Sequence, residues 1–93
     1  MANVRIVVQF KADTKERADA AVTALAERSK GVKSEPGCLQ FEVFRSVLHP
    51  EEWALIERWE SQAVLDERAR RGAVPPPPEG VTRTIEHYEY GTH

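Results

Sequence analysis

The run EPGCLQFEVFRSVLHPEEWALIERWES, residues 35–61, holds one turn, two strands and the start of a helix. Glu35-Pro36-Gly37 stops any preceding helix, because the residue before proline disfavours helical dihedrals and glycine supplies the turn. From Cys38 to Val47, Leu39, Phe41 and Val43 alternate with Gln40 and Glu42, the period-two pattern of a strand. Leu48-His49-Pro50-Glu51 reads as a hairpin loop, and Glu52 to Glu60 as a second strand rich in large apolar residues. Ser61 then caps a short helix to about Arg71, with Val64, Leu65 and Ala69 on its inner side.

Outward from this hairpin the pattern repeats in kind. Upstream, Val4, Ile6, Val8 and Phe10 alternate with Arg5, Val7 and Gln9, so Val4 to Phe10 is a strand. Asp13 or Thr14 caps a helix running from about Thr14 to Lys33, with Ala18, Ala21, Val22, Leu25 and Ala26 at helical spacing. Downstream, Pro75 to Pro78 can neither donate backbone hydrogen bonds nor continue a helix and form an extended connector. Val81 to Tyr90 alternates once more. The order βαββαβ, with right-handed crossovers, predicts an α+β ferredoxin-like fold: a four-stranded antiparallel sheet with two helices on one face.

The chain has 93 residues, which fits a single domain over residues 1–93 with a thin core, and makes association with a second copy a natural source of further burial. Thirteen Lys and Arg against fifteen Asp and Glu give a net charge of -2, which argues against nucleic acid or an anionic membrane as the partner. One cysteine, Cys38, excludes an internal disulfide and fits a reducing cytoplasm. No stretch approaches the length of a membrane-spanning helix, so a cytoplasmic protein is expected.

The sheet has two unlike faces. Helices covering Val4, Ile6, Val8, Phe10, Leu39, Phe41, Val43, Trp53, Leu55 and Trp59 leave Val7, Phe44 and Ile56 at the centre of the other face. Such a patch points to a second sheet packed on it, and so to a homodimer. Arg45, Glu57, Arg83 and His87 fall on the helix-side phase, where their burial is costly unless they pair, reach the rim or line a cavity.

No glycine motif for phosphate binding is present, and His49, His87 and His93 show no metal-ligand spacing, so neither cofactor nor metal is expected. Cys38 reads as a structural cysteine and Ser61 as a helix cap rather than as nucleophiles. The strand at Glu52 to Glu60 lacks the aromatic pattern of RNA-binding modules of the same topology.

Glu35-Pro36-Gly37-Cys38-Leu39, Phe41-Glu42-Val43-Phe44-Arg45, Glu57-Arg58-Trp59-Glu60-Ser61 and Leu65-Asp66, at these spacings, resemble the antibiotic biosynthesis monooxygenase family over about Val4 to Arg70. The resemblance implies a dimeric α+β barrel. It also implies one of several activities: cofactor-independent oxygenation of quinols and aromatic substrates, haem degradation, or isomerisation of small metabolites. Trp59 matches a tryptophan that lines the cavity in several members, and Glu57 the acidic position two residues earlier. The histidine common in the family three residues after Leu65 is here Arg68, and the latter half of the first strand has no asparagine, where haem-degrading members carry one, which speaks against haem chemistry. The usual longer helical segment is replaced by Gly72-Ala73-Val74 and four prolines.

These residues lead to the expectation of a cofactor-independent monooxygenase acting on a small aromatic or quinol-type substrate. Trp59, Phe41 and Trp53 would form apolar walls, Arg83 or Arg45 would stabilise a phenolate, and His87 or Glu57 would take a proton. The alternatives are a small-metabolite isomerase using His87 or Glu57, and a non-catalytic dimeric binding or accessory protein.

Overall fold

The computed structural model describes residues 3–72 and 75–90, so Ala73, Val74 and His93 lie outside the described residues. The elements are β1 (Asn3–Ala12), α1 (Lys15–Val32), β2 (Cys38–Arg45), β3 (Glu52–Trp59), α2 (Gln62–Arg70) and β4 (Val81–Tyr90). The strands form one antiparallel sheet in the order β2-β3-β1-β4, the ferredoxin-like arrangement expected from the alternating runs.

Caps set the helix starts. The Thr14 hydroxyl accepts from the Arg17 amide at 3.2 Å, and the Ser61 hydroxyl from the Val64 amide at 3.4 Å, each satisfying an orphan donor of a first turn. Gly37 takes φ 85°, in the left-handed region, and a Cβ there would lie 2.9 Å from the Val64 methyls, so glycine is what lets α2 settle against the start of β2.

Two details depart from the alternation in the sequence. β2 ends at Arg45 rather than Val47, because the Ser46 hydroxyl accepts from the His49 amide and turns the chain early. A bulge also interrupts β2: Cys38 pairs with Trp59 and Gln40 with Arg58, leaving Leu39 as the extra residue. Leu39 was expected on the helix-covered face, but it is 47% exposed, and Cys38 takes the inward place instead.

Cross-strand pairing arranges the helix-side face in rows. Cys38, Trp59 and Val4 form one, Phe41, Glu57, Ile6 and His87 the next, then Val43, Leu55, Val8 and Ile85, then Arg45, Trp53, Phe10 and Arg83. One core cluster gathers Val8, Val32, Phe41, Leu55 and Trp59, and a second Ala12, Ala18, Trp53 and Val81. The helices make their main contacts with β1, β2 and β3, so Arg83, Ile85 and His87 on the helix side of β4 remain exposed while Val81 at its start is buried. No helix among the described residues is long and apolar enough to cross a membrane.

Candidate functional site

Because the helices leave β4 uncovered, a cavity of about 460 Å³ opens between sheet and helices. Its floor is Ile6, Val8 and Phe10 of β1 with Trp53, Leu55 and Glu57 of β3. Ala21, Leu25 and Arg28 of α1 form one wall, Gln62, Leu65 and Asp66 of α2 another. Arg83, Ile85 and His87 of β4 border it on the uncovered side, facing the proline run Pro75 to Pro78. Phe10 and Trp53 stack with ring centroids 5.3 Å apart and 6° between planes, giving the floor a flat aromatic surface.

Glu57 is the one carboxyl drawn into the floor, and it is 8% exposed. Burial pushes its pKa up; the Trp59 indole, donating to Oε1 at 2.9 Å, and the positive charges of Arg68 and Arg28 pull the other way. Burial is the larger influence, so Glu57 holds its proton to a higher pH than an ordinary glutamate. It shares a row with His87, the two flanking Ile6.

Beside Glu57 lies a chain of contacts through Trp59, Arg68 and Glu35, of which Arg68 also lines the cavity. Trp59 has 0% of its surface exposed, the Arg68 guanidinium sits 4.6 Å from its ring centroid, and Arg68 in turn donates to both oxygens of Glu35 at 2.9 and 3.4 Å. Arg68 is only 3% exposed, and its hydrogen bond is the leading reason why Glu35 stays ionised below the usual carboxylate range. Replacing Glu35 with alanine strands a buried guanidinium and should cost about 3 kcal/mol, whereas Arg68→Met leaves a carboxylate that water can reach and should cost less. Urea denaturation of the two variants would decide; equal losses would mean that the pair matters only through the stacking of Arg68 on Trp59. The contribution of the pair is present above the unfolded pKa of Glu35 and fades as the pH falls through its lowered folded value.

Of the residues singled out from the sequence, the structure brings Glu57, Phe41, Trp53, Arg83 and His87 to the cavity. Trp59 and Arg45 lie elsewhere. Trp59 packs beneath Arg68 as part of the core and holds Glu57 from behind. Arg45 donates to Asp19 and to the Pro50 carbonyl, each at 2.7 Å, tying α1 to the hairpin loop. Arg28 and Gln62 are not singled out by the sequence, and Asp66 enters it only within the Leu65-Asp66 motif. Arg28 falls on the Ala21-Leu25-Val32 stripe of α1, and a charge on such a stripe was the available signal. His49 shows no ligand spacing in the sequence, yet the hairpin brings its Nδ1 within 4.0 Å of Glu51 and 3.9 Å of Glu52, an exposed imidazole beside two half-buried carboxylates outside the cavity wall.

The sequence model of the family described as antibiotic biosynthesis monooxygenase matches residues 3–74. No curated protein matches the chain. A conserved protein of unknown function from Bacteroides thetaiotaomicron superposes with a TM-score of 0.79 at 19% identity, covering 96% of this chain and 98% of that one. A conserved protein from Methanosarcina mazei gives 0.77 at 21% identity, covering 95% and 92%. A heme-degrading protein of Mycobacterium tuberculosis gives 0.71 at 19% identity, covering 97% of each chain. At these identities the likeness is one of fold.

Proposed function

Because the chain belongs to the antibiotic biosynthesis monooxygenase family, we propose that it oxygenates a small aromatic or quinol-type substrate without a cofactor, in the cavity between sheet and helices. The observation that carries this reading is a buried carboxyl of raised pKa, Glu57, in the floor of an otherwise largely apolar, aromatic-walled space. Glu57 takes the proton of a phenolic hydroxyl, a transfer eased because a base of raised pKa is better matched to a phenol. Arg83 offsets the negative charge of the phenolate from the β4 side, with His87 as a second proton carrier in the same row as Glu57.

The electrons come from the substrate. The phenolate ring carbon para to oxygen forms a bond to dioxygen, and Glu57 returns its proton to the peroxide. Loss of the hydrogen on that carbon and cleavage of the O–O bond then release water and leave a quinone. One phenol and one dioxygen become one quinone and one water, with four electrons passing to oxygen. Oxygen uptake with a dihydroxynaphthalene, with one atom of labelled dioxygen recovered in the quinone, tests this; no uptake with any phenolic substrate would overturn it.

Residues of this chain do not fit haem at the position where the resemblance places a histidine, since Arg68 there is held by Glu35 and Trp59. A second reading, isomerisation of a small metabolite, draws on the placement of Glu57 and His87 on either side of Ile6, room enough for a proton to leave one face of a ligand and return at another. Turnover that proceeds without oxygen would select it.

The assembly we propose is a homodimer through the open face of the sheet, where Ile56 and Val7 pair at the centre and Phe44 is 46% exposed. Sedimentation should give about twice the 10.5 kDa chain mass. Phe44→Asp should give the monomer, because burying an unpaired carboxylate costs several kcal/mol. A dimer unaffected by that substitution would place the interface elsewhere.

A further inference from the structure

Ala21, Ala24, Leu25 and Arg28 recur at helical spacing along α1, and all four line the cavity, so a guanidinium stands where the pattern asks for an apolar side chain. The sheet beneath shows where its charge lies. The guanidinium carbon sits over the Phe41 ring, 5.9 Å from the centroid, and Phe41 is the cross-strand neighbour of Glu57. The charged head of Arg28, and not its stem alone, therefore occupies the layer between helix and sheet, one strand across from the acid of the floor.

Arg28 is half-buried. Loss of water, and then the like charge of Arg68, weigh against its cation, while Glu57 and Glu35 favour it. Neither carboxyl belongs to Arg28 alone: Glu35 is engaged by Arg68 at 2.9 and 3.4 Å, and burial drives Glu57 toward its neutral form. A guanidinium does not give up its proton in a protein, so this end of the cavity holds an excess of positive charge. Asp66, the other acid of the lining, is exposed and accepts from the Gln62 amide.

We propose that Arg28 is an anion-binding residue of the cavity and that the ligand is a hydroxylated aromatic carboxylate, its carboxylate paired with the Arg28 guanidinium while its hydroxyl lies at Glu57. This rests on the cavity being the binding site. The guanidinium fork matches a carboxylate, two parallel N–H donors to two oxygens, and its five donors let it keep its place over Phe41 and still take a ligand. An ion pair gains most where water is excluded, and a counter-ion relieves the burial of the cation. Paired strands lie about 4.8 Å apart, a distance that one ring spans, so Phe41 and Glu57 set carboxylate and hydroxyl on the same ring. The remaining rings lie over the stacked Phe10 and Trp53.

The test is anaerobic binding of hydroxynaphthoates against the matching carboxamides, which keep the hydroxyl and the rings and lose the charge. Wild type should bind at least one acid about ten-fold more tightly than its amide, the worth of a charged hydrogen bond. Arg28→Gln should remove that gap and leave the amide's affinity in place, which shows at once that the cavity has kept its shape. If Arg28→Gln loses the amide too, Arg28→Lys decides: charge without the fork should hold the amide and weaken the acid, and an acid bound as tightly as by wild type would overturn the proposal. Equal binding of acid and amide by wild type, or a gap that survives Arg28→Gln, would overturn it while leaving the oxygenase reading standing. A gap removed by Arg83→Gln instead would put the anion at the β4 rim and overturn it as well. Selective binding of the acid without oxygen uptake would support Arg28 and sink the oxygenase.

Discussion

Trp59→Ala should lower stability by about 3–5 kcal/mol, the usual cost of truncating a large buried aromatic. Trp59 has no exposed surface, packs in the same cluster as Phe41 and Leu55, carries Arg68 on its ring and donates to Glu57, so alanine opens a hole and removes two polar attachments at once. Denaturant unfolding measures the loss. A cost below about 1 kcal/mol with ligand binding abolished would mean instead that the indole faces the ligand. Trp59→Phe separates the two contributions: the ring stays, the N–H goes, and Glu57, deprived of a donor that favours its charged form, should titrate at still higher pH.

Glu57→Gln should reduce turnover about a hundred-fold or more, the contribution typical of a positioned base, while leaving the protein at least as stable at neutral pH. The two effects have one origin. The folded pKa of Glu57 lies above its unfolded value, so the native state binds more protons between the two. Its contribution to stability is therefore complete below the unfolded pKa and is lost as the pH rises through the folded one. Glutamine keeps an oxygen for the Trp59 indole and carries no charge to bury, so the variant should lose that pH dependence. Activity of the wild type should rise with pH over the same window, as the base becomes free. Thermal melts across pH and oxygen uptake would be read together; an active Glu57→Gln variant would pass the role of base to His87.

The element order and the sheet were legible because each strand carries its own period-two run and each helix its own cap. Leu39 was not. The alternation runs unbroken from Cys38 to Val43, but the bond from the Glu60 amide to the Gly37 carbonyl fixes where pairing begins, while Phe41 must reach the core opposite Glu57. The extra residue is looped out between those constraints. For the candidate site, alternation correctly put Glu57 and Trp59 on one face, yet it cannot say which of two inward neighbours meets open space. That depends on Arg68 arriving from α2 to cover the indole, a contact between residues brought together only by the fold. Gln62, whose buried Oε1 accepts no hydrogen bond from any described residue, was equally invisible, since an unsatisfied carbonyl is defined by everything around it.

The family match ends at residue 74, and the cavity does not. Its acid, aromatic floor and helical walls belong to the shared part of the chain, but the wall of Pro75 to Pro78 and the bordering strand β4 come after it, stitched together by the bond from Arg83 to the Pro75 carbonyl. Four prolines in a row hold little conformational freedom to lose on folding, so this wall keeps its shape without a helix behind it. The buried acid with its aromatic floor and the wall that faces them are thus written in separate stretches of sequence. A change in the second stretch alters the size of molecule admitted, together with Arg83 and His87, and leaves Glu57 and the stacked Phe10 and Trp53 beneath it in place.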